Sequence, residues 1–258
     1  MTDYLEHKNL ANQQIAPEKA AKIADGVHRT LDRVAQAAQA AGRDASEVTL
    51  LAATKTRDVG EIMAALRAGI RVIGENRPQE VQIKAEALRR GASSEGIDFG
   101  FHLIGQLQTN KINKVLPLVD TIESVDSAAQ AQKIATRALA RGKHLNLFLE
   151  VNESGEESKS GCDPDRAYDE ALAIAALDGV TLTGLMTIGA HVDDEAIIRK
   201  GFTHLRELRE RLLADGGAAL SSCRDLSMGM TQDMALAVDE GSTIVRVGTG
   251  IFGARAFI

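Results

Sequence analysis

Short apolar runs alternate along the chain with longer segments in which apolar residues recur at helical spacing. In the first long segment, residues 15–41, apolar residues from Ile23 to Val34 recur every three or four positions. This spacing predicts an amphipathic N-terminal helix. The first apolar run, VTLLAATK, begins at Val48 and predicts a buried strand that ends on Lys55.

Seven further apolar runs predict strands, and segments with helical spacing separate them. The predicted strands are IRVIG (70–74), FGFHLIGQ (99–106), TIESV (121–125), HLNLFLEVN (144–152), VTLTGLMTIG (180–189), RDLSMG (224–229) and TIVRVGTGIFG (243–253). The predicted helices are 58–68, 78–90, 110–116, 128–141, a segment starting at 163, 193–213 and 230–238. Thr109 and Ser127 are predicted N-caps, and GASSEG (91–96) is a predicted linker.

Eight strands alternating with helices favour parallel strands joined by crossover helices. The span 48–255 divides into units of about 26 residues, which predicts a (β/α)8 TIM barrel preceded by an additional N-terminal helix. No change in composition marks a second domain, so residues 1–258 are predicted to form a single domain. The alternative is an open doubly wound sheet, but LAATKTRD lacks the G-x-G-x-x-G turn of its nucleotide-binding form.

The composition excludes several classes of protein. Thirty Lys and Arg against 36 Asp and Glu give a net charge of -6, which provides no basic field for nucleic acid or an anionic membrane. The polar N-terminus and the lack of a long apolar window predict no signal peptide and no membrane span. Cys162 and Cys223 fit no metal-ligand spacing, so we expect reduced thiols, a cytoplasmic protein and no metal site.

Reactive groups in a barrel gather at the carboxyl ends of its strands. Lys55 at the end of an apolar strand is a candidate amine nucleophile that could form a Schiff base with an aldehyde. The runs SMGM (227–230) and GTG (248–250) end the last two strands and offer hydroxyl and backbone N–H groups to a phosphate. Together they indicate a phosphorylated aldehyde, either pyridoxal phosphate as cofactor or a sugar phosphate in a class I aldolase.

Seven strings along the chain together resemble the motifs of a known family. They are LLAATK, IGENRPQE, FHLIGQLQTNK, VNESGEESKSG, GLMTIG, LSMGMTQD and GSTIVRVGTGIFGAR. In this order, from about residue 48 to residue 255, they are similar to the pyridoxal phosphate homeostasis protein family, which resembles the N-terminal barrel of alanine racemase. The resemblance implies a barrel that binds pyridoxal 5′-phosphate (PLP).

The resemblance also implies roles for individual residues. Lys55 stands where the family's lysine forms the Schiff base, and Arg246 matches the arginine that in alanine racemase faces the pyridine nitrogen. Asn76 matches an asparagine near the ring, with a simple turn-forming role as the alternative. His102 is expected to be a core histidine rather than a ligand. The implied phosphate-binding residues are Ser227, Gly248 and Thr249, with backbone help from Met228 and Gly229.

The resemblance leaves open whether the protein is an enzyme. Alanine racemase pairs its lysine with a tyrosine from a separate C-terminal β domain, whereas Tyr4 and Tyr168 lie outside the strand-end motifs and the chain ends at Ile258. We therefore expect a monomeric PLP carrier without strong catalytic activity, which buffers PLP or transfers it to apoenzymes. The alternative is a weak alanine racemase or another PLP-dependent amino-acid enzyme. An aldolase is disfavoured because such enzymes usually place their lysine on a later strand.

Overall fold

The strands form a closed barrel in this computed structural model, which describes residues 8–154, 160–190, 192–215 and 217–254. The eight parallel strands follow one another in sequence order, and β8 pairs with β1 to complete the ring. They are β1 (Thr49–Ala53), β2 (Val72–Glu75), β3 (Gly100–Leu103), β4 (Thr121–Val125), β5 (Leu145–Glu150), β6 (Val180–Met186), β7 (Asp225–Ser227) and β8 (Ile244–Val247). This confirms the predicted (β/α)8 barrel.

Helices surround the barrel and connect its strands. They are α1 (Pro17–Ala40), α2 (Val59–Arg67), α3 (Pro78–Ser94), α4 (Ile112–Val115), α5 (Ala128–Leu139), α6 (Ala167–Ala175), α7 (Glu195–Asp215), α8 (Gly217–Leu220), α9 (Met234–Asp239) and α10 (Thr249–Phe252). Short 3-10 turns lie at Ala45–Glu47, Thr109–Lys111 and Pro164–Arg166. Among these helices, none combines the length and the apolar character needed to cross a bilayer.

The N-terminal helix α1 packs beside the junction of β8 and β1. It contacts α2, α9 and α10, and α10 is itself only four residues long. A Cβ at Gly26 of α1 would overlap the backbone of Ile251, so the glycine permits the two helices to approach closely. The predicted extra helix therefore covers the part of the barrel that the short α10 leaves uncovered.

Apolar side chains fill two separate regions. The larger core lies between the strands and the surrounding helices. A smaller cluster fills the barrel interior and consists of Leu51, Ile104, Phe148, Met186 and Ile244. Inward and outward residues alternate along each strand, so the same strands supply both regions.

Several predicted boundaries are wrong. Helix α3 continues to Ser94, so most of the predicted linker is helical, and Ala92 is buried there at 1% exposure. Thr109 does not cap an α-helix but begins a 3-10 turn before α4. β8 ends at Val247, the last residue paired with β1, and the following residues form α10 because the ladder offers them no partner.

Candidate functional site

A cleft of about 250 Å³ lies at the carboxyl ends of the barrel strands. The segments after β1, β2, β3, β6, β7 and β8 contribute to it. Its lining residues are Ala53, Lys55, Arg57, Asn76, Ile104, Ile188, Met230, Thr231, Arg246, Gly248 and Thr249. Barrel closure therefore brings residues from distant parts of the chain to one site.

The cleft contains most of the residues predicted for the site, but not all of them. Those that line it are Lys55, Asn76, Arg246, Gly248 and Thr249. The predicted residues that lie buried away from the lining are Ser227, Met228 and Gly229. The SMGM run thus contributes its last residue to the cleft surface, while its first three residues lie behind that surface.

Lys55 lies in a turn, two residues beyond the end of β1. The prediction that the strand ends on Lys55 is wrong, because the pairing of β1 with β2 stops at Ala53. The lysine side chain is half-buried and lines the cleft. Its neighbour Thr56 has a φ of 68°, a left-handed conformation that is rare for a β-branched residue. A strained turn therefore presents the lysine to the cleft.

Arg246 of β8 lies at the base of the cleft and is 6% exposed. Its Nη1 donates hydrogen bonds to the backbone oxygen and to the Oγ of Ser227, both at 2.7 Å. Its Nη2 donates to the backbone oxygen of Thr187, also at 2.7 Å. These three hydrogen bonds fix the plane of the guanidinium group in the barrel.

A chain of hydrogen bonds continues from Arg246 through the barrel interior. Ser227 Oγ donates to Glu123 Oε2 at 2.6 Å, and Glu123 Oε1 lies 2.6 Å from His102 Nδ1. The hydroxyl of Ser227 thus has protein partners on both sides. His102 is 9% exposed and has Glu123 as its partner, consistent with a histidine of the core.

The carboxylate of Glu123 and the guanidinium group of Arg246 are both deeply buried. Burial acts to raise the pKa of Glu123, but His102, Arg246 and Ser227 outweigh it and hold the pKa below its ordinary value. Burial lowers the pKa of Arg246, while the carboxylates of Glu123, Glu150 and Asp233 act to raise it. A guanidinium remains protonated at neutral pH despite such a change. The base of the cleft therefore carries a fixed positive charge.

Asn76 follows β2 and reaches the cleft because Gly105 allows the chain to pass closely. A Cβ at Gly105 would overlap the carbonyl group and the Cα of Asn76. Gly105 is held in turn by Ser124, whose Oγ donates to its backbone oxygen at 2.7 Å. The position of Asn76 thus depends on the loop after β3 as well as on its own.

The segments after β7 and β8, both near the C-terminus of the chain, meet at the cleft. Gly248 precedes α10 and Thr249 begins it. The N–H groups of Ile251 and Phe252 donate to the Gly248 backbone oxygen, so those of Thr249 and Gly250 are the ones at the helix start without an intrahelical acceptor. A Cβ on Gly250 would lie 3.8 Å from Thr231 Cγ2, so the start of α10 and the segment after β7 lie side by side. Arg33 of α1 donates to the Thr231 backbone oxygen at 3.0 Å. Thr231 and Thr249 therefore lie on neighbouring segments that line the cleft.

Several lining residues were not named as site residues from the sequence. Met230 ends the predicted SMGM run and Thr231 directly follows it, so the motif pointed to both. Ile104 and Ile188 supply apolar surface next to predicted strand ends. Arg57 gave no signal in the sequence, because its place depends on contacts made across the fold, including hydrogen bonds from Nη2 to the backbone oxygens of residues 253 and 254.

Glu61 at the N-terminus of α2 is surrounded by cations. Its carboxylate is 1% exposed and lies 2.6 Å from Lys8 Nζ, 3.0 Å from Lys19 Nζ and 3.3 Å from Arg57 Nη1. It also accepts a hydrogen bond from the backbone N–H of Asp58 at 2.9 Å. Burial acts to raise the pKa of Glu61, but the bonds to Lys8, Asp58 and Lys19 lower it to about 2.

Glu61→Gln is expected to remove a pH-dependent part of the stability. The folded-state pKa of about 2 lies below the ordinary value of 4.5. The carboxylate therefore stabilises the fold above the ordinary value, and this contribution is lost as the pH falls towards 2. The contribution of the carboxylate to stability is about 3 kcal/mol at most. Water around the exposed side chain of Lys19 screens that ion pair and makes the contribution smaller.

Chemical denaturation at pH 7 and pH 3 measures this effect as a change in the free energy of unfolding. The wild-type protein should lose more stability between the two pH values than the Glu61→Gln variant does. Glu86→Gln, a change at an exposed position of α3, is the matched control and should behave as wild type. Equal losses in wild type and Glu61→Gln would contradict the prediction.

In the described ranges, neither a tyrosine nor a metal-binding cluster lies at the cleft. Tyr168, the tyrosine within those ranges, lies in α6, where Arg211 of α7 stacks over its ring at 3.9 Å. It is therefore on the outer layer of helices, away from the cleft lining. No group of three or more His, Cys, Asp or Glu side chains in the described part of the chain is arranged to hold a metal ion.

Sequence comparisons relate the chain to proteins of known families. It matches the model of the alanine racemase N-terminal domain over residues 24–256. The pyridoxal phosphate homeostasis protein of Aquifex aeolicus is 38% identical over 229 residues, which cover 89% of this chain and 96% of that protein. The protein of the same name from Pseudomonas aeruginosa is 38% identical over 235 residues, covering 91% and 96%.

Solved structures share the same barrel. A crystal structure of an unknown protein from Bifidobacterium adolescentis is 62% identical, with a TM-score of 0.93 over 95% of this chain and 100% of that chain. PipY from Synechococcus elongatus PCC7942, solved with PLP bound, is 35% identical, with a TM-score of 0.70 over 80% and 93%. An alanine racemase from Clostridium difficile 630 is 16% identical at a TM-score of 0.70, covering 90% of this chain and 57% of that chain, which shows a common fold.

Proposed function

This chain belongs to the pyridoxal phosphate homeostasis protein family, and from that membership we propose that it binds PLP at the barrel mouth as a Schiff base on Lys55. In this proposal the protein holds PLP reversibly and buffers it or transfers it to PLP-dependent apoenzymes. The observation that carries the proposal is that Lys55, Arg246 and the Gly248-Thr249 segment line one cleft.

The chemistry of the cleft fits each part of PLP. Lys55 offers an amine to the aldehyde, and Ile104 and Ile188 offer apolar surface to an aromatic ring. Gly248 and Thr249 offer backbone and hydroxyl groups to the phosphate, next to the start of a short helix. Aldehyde, ring and phosphate would thus each meet a group suited to it within one cleft.

Lys55 carries the covalent part of the proposal. Its neutral amine adds to the aldehyde carbon, a carbon–nitrogen double bond forms, and one water molecule leaves. Addition of water reverses the reaction and restores both the lysine and the free aldehyde. A tether that forms and hydrolyses in this way suits a protein that stores and releases its ligand.

Arg246 would weaken the bound cofactor as an electron acceptor. When bound, PLP supplies an electron-accepting ring whose capacity increases when the pyridine nitrogen is protonated. The fixed guanidinium at the base of the cleft opposes that protonation. In this proposal Ser227 accepts hydrogen bonds from Arg246 and so keeps the guanidinium group in place. Met228 and Gly229 shape the same loop, and Asn76 contacts the ring.

The second candidate function is a weak alanine racemase, favoured by the match to the alanine racemase N-terminal domain. Racemisation requires a proton donor on the face of the substrate opposite the lysine. Tyr168 does not supply it, because its ring lies under Arg211 in the outer helical layer. This observation favours the carrier over the racemase.

A direct experiment separates carrier from enzyme. The protein purified with PLP should be yellow, and borohydride should remove the colour and leave the mass of the reduced cofactor on the peptide containing Lys55. The PLP-loaded protein is then incubated with L-alanine, and the fraction of D-alanine is measured against free PLP as blank and an alanine racemase as positive control. D-alanine at the level of the blank supports the carrier.

Two results would contradict this proposal. A protein that added PLP cannot colour would refute binding through a Schiff base. Steady accumulation of D-alanine above the blank would refute the carrier and favour the racemase.

A further inference from the structure

A buried ion cluster lies directly behind the turn that carries Lys55. Lys84 of α3 places its Nζ 2.6 Å from Glu75 Oε1 and 2.7 Å from Glu80 Oε2. All three side chains are 0% exposed. We call these three residues the Lys84 cluster. It lies outside the barrel, between the end of β2 and the first turns of α3, and none of its members lines the cleft.

The Lys84 cluster binds the peptide groups on both sides of Lys55. Lys84 Nζ donates to the backbone oxygen of Thr54 at 3.1 Å. Glu80 Oε2 accepts the backbone N–H of Thr56 at 2.8 Å. The two peptide planes that flank Lys55 are thereby held, and these planes define its φ and ψ angles. The direction in which the lysine side chain leaves the backbone is fixed as a result.

The turn requires such support because its own conformation is unfavourable. Thr56 is in the left-handed region at a φ of 68°, where a β-branched side chain is strained. Thr54 adds two further bonds, from Oγ1 to Glu75 Oε1 at 2.7 Å and from its N–H to the Gly74 oxygen at 2.9 Å. A strained backbone of this kind persists only where the surrounding structure holds it.

Stability alone does not account for the Lys84 cluster. Burying three charges is costly, and apolar side chains of similar size often stabilise a protein equally well or better. Glu75 Oε2 is buried and, within the described chain, lacks a hydrogen-bond partner, so the cluster is not fully satisfied. Its contacts with the backbone around Lys55 are what apolar side chains could not reproduce.

We propose that Glu80 and Lys84 are positioning residues that hold the Lys55 turn so that its amine meets the aldehyde of PLP docked in the cleft. This inference rests on the proposed function. Orientation of a nucleophile towards a bound carbonyl contributes strongly to reaction rate, and small displacements reduce it. The Lys84 cluster therefore controls how fast the Schiff base forms, and has little influence on how tightly the phosphate and ring bind.

Glu80→Met and Glu80→Gln form a matched pair of variants for the test. Methionine removes the acceptor of the Thr56 N–H but leaves Lys84 paired with Glu75, so the variant keeps a balanced buried charge pair. Glutamine retains an oxygen that can accept from both Thr56 and Lys84. Both variants are compared with wild type after thermal unfolding has shown a cooperative transition.

Three measurements are made on each protein. The first is the rate of Schiff base formation with PLP, followed by absorbance. The second is the affinity for pyridoxine 5′-phosphate, which has the ring and phosphate but no aldehyde. The third is hydrogen exchange of the Thr56 amide in the protein without ligand, measured by NMR.

In Glu80→Met we expect Schiff base formation to slow about tenfold or more, while pyridoxine 5′-phosphate affinity stays within about threefold of wild type. Exchange of the Thr56 amide should be about tenfold faster than in wild type. Glu80→Gln should match wild type in all three measurements. A wild-type rate in Glu80→Met, or equal losses of rate and pyridoxine 5′-phosphate affinity, would overturn the positioning role. Failure of the wild-type protein to react with PLP would instead refute the proposed function, and the inference with it.

Discussion

Lys55→Ala is expected to abolish Schiff base formation with PLP completely. Among the described residues that line the cleft, Lys55 is the single lysine. The variant therefore leaves no lysine amine there to react with a docked aldehyde. Binding through ring and phosphate contacts should persist at reduced affinity, because Arg246 and Thr249 remain. Absorbance titration with PLP, followed by borohydride reduction and peptide mass analysis, measures the loss.

Lys111→Ala is the matched control for this variant. Lys111 follows β3 and therefore lies on the same face of the barrel as Lys55, but it does not line the cleft. This control should form the Schiff base as wild type does. If Lys55→Ala still gave a borohydride-stable adduct at a single lysine, the assignment of Lys55 would be wrong.

Arg246→Met should be the most destabilising of the substitutions proposed for the cleft. The change removes the three hydrogen bonds to Ser227 and Thr187 and takes away the cation near the fully buried carboxylate of Glu123. We expect a loss of about 3–5 kcal/mol, because each buried acceptor left without its donor costs about 1–3 kcal/mol and Glu123 also loses a nearby cation, to which it is linked through Ser227. His102 remains beside Glu123, which places the expected loss near the lower end.

The free energy of unfolding from urea denaturation measures this loss. Arg141→Met, a change at an exposed arginine after α5, is the control and should cost less than about 1 kcal/mol. Combining Arg246→Met with Glu123→Gln should recover part of the stability, since the uncompensated carboxylate is then absent. If the double variant were less stable than Arg246→Met alone, the buried carboxylate of Glu123 would not be the cause of the lost stability, and the prediction would be wrong.

The sequence by itself determined the architecture. Each strand was predicted from a short apolar run between segments of helical spacing, and the eight strands close into a barrel in sequence order. Local patterns suffice here because burial on both faces of a parallel strand leaves a continuous apolar run, and crossover helices leave a stripe. The same patterns located Ser127 correctly as the cap of α5, since a cap bonds to its own first turn.

The sequence also brought candidate residues to the correct end of the barrel. Lys55, Arg246 and Thr249 line the cleft because strand direction alone places their segments at the carboxyl face. Strand direction predicts at which end of the barrel a residue lies, but it does not predict where the side chain points. It therefore could not separate Thr249, which faces the cleft, from Ser227, whose hydroxyl bonds to Glu123 inside the barrel.

Only the tertiary structure decided which polar groups meet. Ser227 and Glu123 belong to strands on different sides of the barrel, and Lys84 reaches the Lys55 turn from a helix beyond the next strand. Such contacts depend on barrel closure and on packing between layers, which leave no periodic signal in the sequence. The apolar pattern determines where the chain is buried, because burial is non-directional. Hydrogen bonds are directional, so the partners of Arg246 and of the Lys55 turn are set only when the barrel is complete.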